Sequence, residues 1–254
     1  MKKILWVTSI VLFCFITTPS ILISADLFGD ILKKELPRSP GAEALPIGQT
    51  VGKGLDDSTI ASGLKEALDI GTKNAVGMVS KANGYYGNEA IKILLPNKIQ
   101  QAAELAGKLG YQKEVDELIQ SMNHAAEKAA PKAASSFAEA IKAMSIDDAR
   151  KILSGGNTSA TEYFKSKTST KLYDEFKPSI SESMNQVGVV RFYNAMMSKV
   201  PAVPFVKPES VDLDDYITTK ALDGLYLMVG QEEQKIRTNP VARTTDLLTK
   251  IFGK

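Results

Sequence analysis

The sequence predicts an all-α protein: an irregular multi-helix bundle in a single domain, which follows a signal peptide and a flexible tether. From Ser58 onward, apolar residues recur at the 3.6-residue period of amphipathic helices. Glycine, proline and capping residues divide these periodic segments into helices joined by short loops. No pair of strand-like segments accompanies them, so we expect helices packed on helices around one core.

Residues 1–25 predict a cleavable signal peptide. A basic start at Met1–Lys3 precedes the apolar run Ile4–Ile16, and a small-residue site ends at Ala25. A membrane-spanning helix needs about 20 apolar residues, whereas this run is shorter and is soon followed by Pro19. We therefore expect a periplasmic or secreted protein with no transmembrane segment after cleavage. If the signal stays uncut, it anchors the protein to the membrane.

Residues 26–56 predict a flexible tether between the signal peptide and the folded domain. Glycine and proline recur from Pro37 to Gly54 and prevent a regular element. The alternative is a short apolar contact motif at Leu27–Phe28. The folded domain then covers residues 57–254, which is long enough to enclose a sizeable core.

The first part of this domain predicts helices around one irregular segment. An apolar stripe extends from Ile60 to Val79, with Gly71 placed for the close approach of another helix, and the helix is expected to stop at Asn83–Gly84. The apolar segment Ile91–Pro96 is too short for a helix and has no partner strand. We expect it to pack as irregular chain on the bundle. Asn97 is the predicted N-cap of the next helix.

Capping residues and helix stops delimit the later helices. A serine and an aspartate three residues apart form a capping box ahead of a short helix. One later helix contains a proline, which should kink it. The most apolar helix follows a capping aspartate and should be contacted on most sides. In order, these features are the box Ser145–Asp148, helices Ser159–Lys167 and Thr170–Val187 with Pro178 in the second, and the apolar helix from Asp212 to about Arg237.

Charge and cysteine content exclude several classes of function. The chain has 31 basic and 29 acidic residues, and two of the lysines belong to the signal peptide, so the mature chain is close to neutral. It lacks the basic excess of a nucleic-acid-binding protein, and we expect no nucleic-acid partner. The only cysteine, Cys14, leaves with the signal peptide, which removes thiol chemistry. We expect no cofactor.

Few residues are available for catalysis or metal binding. His124 is the only histidine and lies opposite the apolar stripe of its helix, as a solvated surface histidine does. Alone it cannot form a transition-metal site, so we expect no zinc, copper or iron. Asp212, Asp214 and Asp215 cluster at a helix start. Such oxygens suit calcium or magnesium, but acids there also complement the helix dipole, which is the interpretation we favour.

Two adjacent tyrosines and two acids are the candidates for a functional site. Tyr85 and Tyr86 offer an aromatic recognition surface, or they fold back over an edge of the core, which is the more common role of such residues. On the apolar helix, Asp223 lies on the narrow polar side. Gly224 and Gly230 are close to it on the helical wheel, so another backbone has room to approach there.

Glu232 is the fourth candidate. It lies in line with the apolar stripe of its helix, and a buried carboxylate needs a partner. Lys235 is poorly placed on the helical wheel, so a neighbouring helix must supply either backbone N–H groups or a base, with Arg191 and Arg243 as the candidates. Alternatively, Glu232 is solvated beyond the core near the helix end, which we favour, or it acts as a functional acid.

Several motifs, in the same order along the chain, resemble one bacterial family. They extend from about Asp57 to Phe252. The motifs are Gly63–Leu68, Asn88–Pro96, Met122–Glu127, Lys220–Leu225, and the run from Glu232–Glu233 to Arg237 and Pro240. The chain resembles the secreted family known as domain of unknown function 4197. The resemblance implies an exported all-helical domain, and it implies no activity and no functional residues.

The residues favour a non-catalytic envelope protein that binds or scaffolds another macromolecule, with an envelope protein or an apolar ligand as partner. Missing catalytic groups, neutral charge and the tether support this hypothesis. One alternative is a carrier that holds an apolar small molecule in a cavity between helices. Its cavity would be lined by Met184, Met196, Met197 and Met228, which otherwise pack the core. The other alternative is an enzyme whose carboxylates converge in a cleft.

Removal of the signal peptide would remove Trp6 and Cys14, the only tryptophan and the only cysteine. Protein isolated from the envelope should then show tyrosine fluorescence alone and should not react with maleimide. The unprocessed precursor, which carries both residues, is the positive control. Tryptophan emission from the envelope sample would show that the segment is retained as an anchor.

Overall fold

A computed structural model describes residues 56–199, 211–243 and 245–252. Within these ranges the chain forms helices and no strand, so the predicted all-α class is confirmed. The helices are α1 (Asp57–Ser80), α2 (Asn97–Lys108), α3 (Gln112–Ala129), α4 (Ala133–Ala143), α5 (Ile146–Ser154), α6 (Ser159–Val187), α7 (Val189–Ser198), α8 (Leu213–Thr238) and α9 (Asp246–Phe252). The predicted signal peptide and residues 26–55 of the predicted tether lie outside the described ranges.

The described helices differ from membrane spans in length or composition. Among them, none combines the length and the hydropathy that crossing a bilayer requires.

Helix α1 presents small residues to α8. Its start is capped by Asp56, whose carboxylate accepts the N–H of Thr59 at 3.1 Å. A methyl group placed on Gly71 would lie 3.5 Å from Ile236 Cδ1, which is ordinary van der Waals contact. Helix α8 packs on α1 at Gly71, as the sequence predicted, at a spacing that would also admit an alanine.

Two of three predicted helix caps are confirmed. The Ser145 hydroxyl accepts the N–H of Asp148, and the Asp148 carboxylate accepts the N–H of Ser145, both at 3.1 Å. Asp212 caps α8 by accepting the N–H of Asp215 at 2.9 Å. The predicted cap at Asn97 is wrong, because Asn97 is the first helical residue of α2 and no side chain caps this helix.

One long helix replaces two predicted ones. Helix α6 continues through Pro178 without a break. The sequence predicted an interruption near residues 167–170, where polar side chains interrupt the apolar stripe. Thr168 in that stretch is buried, and its hydroxyl lies 2.7 Å from the Phe164 carbonyl and 2.8 Å from the Tyr226 hydroxyl. Because the core satisfies this polar group, the helix does not need to end there.

Helix α8 passes through the centre of the bundle, where it packs against α1, α3 and α6. Leu225 is fully buried and Met228 is buried on the same helix. One side remains open, because Leu227 is 45% exposed and Asp223 is also exposed. The predicted central position is therefore correct, and the open side is where the candidate site lies.

Replacing Leu225 with alanine should lower the free energy of unfolding by about 2–5 kcal/mol, the range for a core leucine whose removal leaves a cavity. The matched control is Leu227→Ala on the same helix, where an exposed side chain should change that free energy by about 0.5 kcal/mol or less. Urea unfolding followed by circular dichroism measures both. Equal losses would contradict the central position of Leu225.

Candidate functional site

A large groove lies along the open side of α8. Its volume is about 940 Å³, and its walls are the first turns of α6 and the irregular segment that precedes α2. We call it the α8 groove. Its lining includes Lys92 and Leu94 from the irregular segment, Asn157 and Lys165 from the α6 side, and Asp223 and Leu227 from α8. Of the four candidate residues, Asp223 is the one that lines this groove.

The irregular segment Ile91–Leu95 is held by side chains of two helices. The Asn123 amide donates to the carbonyl of Ile93 and accepts its N–H, both at 2.8 Å. The Tyr216 hydroxyl donates to the carbonyl of Leu94 at 3.0 Å, and burial raises the pKa of Tyr216. The sequence predicted that this segment packs on the bundle, but it did not indicate that Asn123 holds the segment in place.

The turn before this segment is organised by a buried carboxylate. Glu127 accepts the backbone N–H groups of Asn83, Tyr85 and Tyr86 at 3.1, 3.0 and 3.2 Å. Asn83 has a φ of 59°, a left-handed conformation that asparagine tolerates better than most residues. Glu127 was not predicted from the sequence, where its only sign is one acid within the alanine-rich end of α3.

The candidate Tyr85 folds into the core. Its side chain is buried, and its hydroxyl donates to the carbonyl of Ala221 at 2.7 Å. Burial, and to a smaller extent the charge of Glu127, raise the pKa of Tyr85 well above its ordinary value. The hydroxyl is therefore a neutral structural donor and does not belong to an exposed recognition surface.

Tyr86 and His124 contact each other at the surface, outside the α8 groove. Their rings meet edge to face with centroids 6.4 Å apart, and the Lys92 ammonium lies 4.4 Å from the centroid of Tyr86. His124 Nε2 is 3.8 Å from a carboxylate oxygen of Glu127. His124 therefore lies at the surface, partly exposed and beside an acid.

The two glycines of α8 allow close approach, but by side chains. A methyl group on Gly224 would lie 2.9 Å from Tyr85 Cε1 and 3.0 Å from Ile91 Cβ, too close to fit without movement. At Gly230 the nearest atom is Thr161 Oγ1, at 3.4 Å. The atoms nearest to Gly224 belong to side chains, and the glycine lets the irregular wall pack directly on α8.

The first turn of α6, which forms the opposite wall, is capped from α8. Glu233 accepts the N–H groups of Ala160 and Thr161 and the hydroxyl of Thr161, each at 2.9 Å. Arg237 pairs with Glu233 at 3.0 Å and donates to the carbonyl of Ile152 at 2.7 Å. This role of Glu233 was not predicted from the sequence, although its four-residue spacing to Arg237 is the spacing of a helical ion pair.

The charged side chains of the groove are only partly paired. Asp223 is exposed and lies 3.6 Å from the ammonium of Lys220. The Lys165 ammonium lies 5.5 Å from the centroid of the Tyr226 ring. Within the described ranges, no acid forms an ion pair with Lys165. The groove therefore offers a cation to whatever binds there.

Glu232 is buried on the side of α8 that faces α1. It is 6% exposed, its carboxylate lies 2.5 Å from the Lys235 ammonium, and it accepts the Asn74 amide at 3.1 Å. The favoured solvated position is wrong, and so are Arg191 and Arg243 as partners. The helical wheel placed the backbone of Lys235 correctly but ignored its long side chain, which reaches back to the carboxylate.

The acidic start of α8 is a helix cap. The Asp215 N–H, followed by the charge of Lys177, lowers the pKa of Asp212, and Asp215 itself contacts the Tyr173 hydroxyl. In the part of the chain that the structure describes, no three His, Cys, Asp or Glu side chains are grouped to hold a metal.

The methionines that could line a carrier cavity belong to the core. Met184, Met196 and Met228 are buried, and Met197 packs against the same core.

Glu233→Ala should lower the free energy of unfolding by about 3–5 kcal/mol, because it leaves a mostly buried Arg237 without its ion-pair partner and two N–H groups without an acceptor. Glu232→Ala should lower it by only about 1–3 kcal/mol, since its partner Lys235 is half exposed and returns to water. Urea unfolding of both variants measures the difference. A larger loss for Glu232→Ala than for Glu233→Ala would contradict this assignment of partners.

Comparison with known proteins agrees with the motifs. No curated protein and no solved structure gives a significant match. Residues 54–253 match the family described as "Protein of unknown function (DUF4197)". The match covers most of the chain and includes both walls and the floor of the α8 groove. The chain therefore belongs to this family.

Proposed function

We propose that the protein is exported to the cell envelope and acts there as a non-catalytic binding domain. In this proposal the α8 groove takes a peptide segment of another envelope protein. The observation that carries the proposal is the mixed lining of the groove, where exposed leucines lie beside amide and charged side chains. The signal-peptide pattern of residues 1–25 supports export.

The lining suits a peptide better than an apolar small molecule. Leu94 and Leu227 are 59% and 45% exposed and offer contacts for apolar side chains. Asn157, Gln231 and Gln234 line the same groove. A carboxamide both donates and accepts hydrogen bonds, so it matches the N–H and C=O groups of a peptide backbone. An apolar carrier needs walls that are predominantly apolar.

The charges of the groove indicate a peptide that carries an acid. Lys92, Lys165 and Lys220 line it, against the two acids Glu162 and Asp223. Lys220 already has Asp223 as a neighbour, whereas Lys165 has no ion-pair partner among the described residues. A carboxylate of the peptide opposite Lys165 would complete this charge distribution and orient the peptide.

The buried carboxylates support binding over catalysis. Glu127 holds a turn, Glu233 caps a helix and Glu232 joins two helices. A catalytic acid must reach its substrate, and these oxygens are already committed to structural partners away from solvent. The two acids that line the groove, Glu162 and Asp223, contact a threonine and a lysine.

Selection of phage-displayed random peptides on the protein isolated from the envelope tests the proposal. Selected peptides should combine apolar residues with an acid and should bind at least about ten-fold more weakly to Leu227→Asp. The matched control is Leu109→Asp, since Leu109 is 49% exposed and lies outside the lining of the groove. Affinities are measured by fluorescence anisotropy after circular dichroism shows that both variants are folded.

Two results would contradict the proposal. One is that selection yields no binding peptide. The other is that selected peptides bind Leu227→Asp as tightly as the wild type. Native mass spectrometry of the same preparation separates the carrier alternative, which requires an apolar small molecule that stays bound to the isolated protein.

A further inference from the structure

We infer that the chain at Lys92–Leu95, which follows the turn at Ile91, offers a free strand-like edge, and that the partner peptide binds by adding a strand to this edge. This inference rests on the proposed function, because it specifies how the α8 groove holds a peptide. Backbone groups of the irregular wall would bind the backbone of the peptide, and side chains of the groove would select its sequence.

Burial along the segment alternates as it does in a half-buried strand. Ile91, Ile93 and Leu95 are buried, Lys92 between them is partly buried, and Leu94 is exposed. A period of two residues is the signature of extended chain, in which successive side chains point to opposite faces. The segment therefore has the side-chain pattern of a strand, although no described strand pairs with it.

One edge of this segment is already paired by a side chain that imitates a strand. The Asn123 amide donates to the carbonyl of Ile93 and accepts its N–H, both at 2.8 Å. A backbone peptide unit of a neighbouring strand supplies the same donor and acceptor. In extended chain, the polar groups of the flanking residues Lys92 and Leu94 point to the opposite edge.

The opposite edge has an open donor and an open acceptor. Within the described ranges, the N–H of Leu94 and the carbonyl of Lys92 have no hydrogen-bond partner. The other two groups of this edge are bonded, because the Lys92 N–H donates to the Asn88 carbonyl at 2.8 Å and the Leu94 carbonyl accepts the Tyr216 hydroxyl. A donor and an acceptor two residues apart on one edge are what an added strand satisfies. A helical peptide has its backbone groups already bonded and would leave them open.

The segment is fixed before any peptide arrives. Asn123 holds its centre, Tyr216 holds Leu94, and Ile91 packs against Gly224. A preformed strand lowers the ordering cost of binding. Its short length, with a lysine in it and Pro96 directly after it, is typical of natural edges that avoid pairing with copies of themselves. These features favour a different chain as the occupant.

The groove side chains then define the chemistry of the peptide. Successive side chains of an added strand point to opposite faces, so alternate residues point toward the groove. An apolar residue contacts Leu94 and Leu227, and an acidic residue approaches Lys165. The expected ligand is therefore an extended segment in which apolar and acidic residues share one face.

Hydrogen exchange of the wild-type protein tests strand addition directly. The probe is a peptide from the phage selection described above. The Leu94 amide should exchange at least about ten-fold more slowly when the peptide is bound, as expected for an amide that gains a hydrogen bond. The matched control is the Ile93 amide, which is already bonded to Asn123 and should change little.

A pair of variants separates the backbone from the side chain at the same position. Leu94→Pro removes the N–H, and a proline is compatible with an extended residue before it. Leu94→Ala keeps the N–H and removes most of the side chain. Peptide affinity should fall at least about ten-fold further for Leu94→Pro than for Leu94→Ala, with thermal unfolding confirming that both are folded.

Different failures have different meanings. If the peptide binds in a Leu227-dependent manner but the Leu94 amide is not protected, strand addition is wrong and the proposed function stands. If no peptide binds, both are wrong. If the Leu94 amide is protected in the free protein and loses protection on dilution, a second copy of this chain is the occupant, which also overturns the inference.

Discussion

The structure depends on satisfying the backbone of one partly buried, non-helical stretch. Between α1 and α2 the chain crosses the bundle without a helix to bond its own N–H and C=O groups, and burying such groups unpaired is costly. Glu127 bonds the turn at Tyr85, and Asn123 bonds both groups of Ile93. These two side chains are four residues apart and therefore share one face of α3. One face of α3 thus supplies the hydrogen bonds that a neighbouring strand would otherwise make.

The groove follows from this arrangement. Once the non-helical stretch is fixed, Tyr85 and Ile91 pack against α8 at Gly224, where no side chain is in the way. On the other side, Glu233 ties the start of α6 to the same helix. Between these two contacts Leu227 stays exposed, and this side of α8 is the floor of the groove. Its floor is the helix whose other sides form the centre of the core.

This origin explains the character of the groove. Its walls are held by buried hydrogen bonds, so they are in place without a ligand, and binding there would order little protein. Its floor is an exposed helix side, which carries leucine, glutamine and aspartate together. Such a surface differs from both an apolar cavity and a cleft of converging acids. It is suited to a ligand that is itself partly apolar and partly polar, as a peptide is.

The sequence by itself determined what local chemistry decides. Periodic apolar residues set the helices, the Ser145–Asp148 box and Asp212 set two of their starts, and the narrow polar side of α8 placed Asp223 on what is now the groove. The tertiary structure alone decided the continuity of α6 and the roles of Glu127 and Glu232. The first two depend on groups far away along the chain, and Glu232 depends on Asn74 of α1 as well as on nearby Lys235. A helical wheel gives the direction of a side chain, and only packing supplies the partner that it meets.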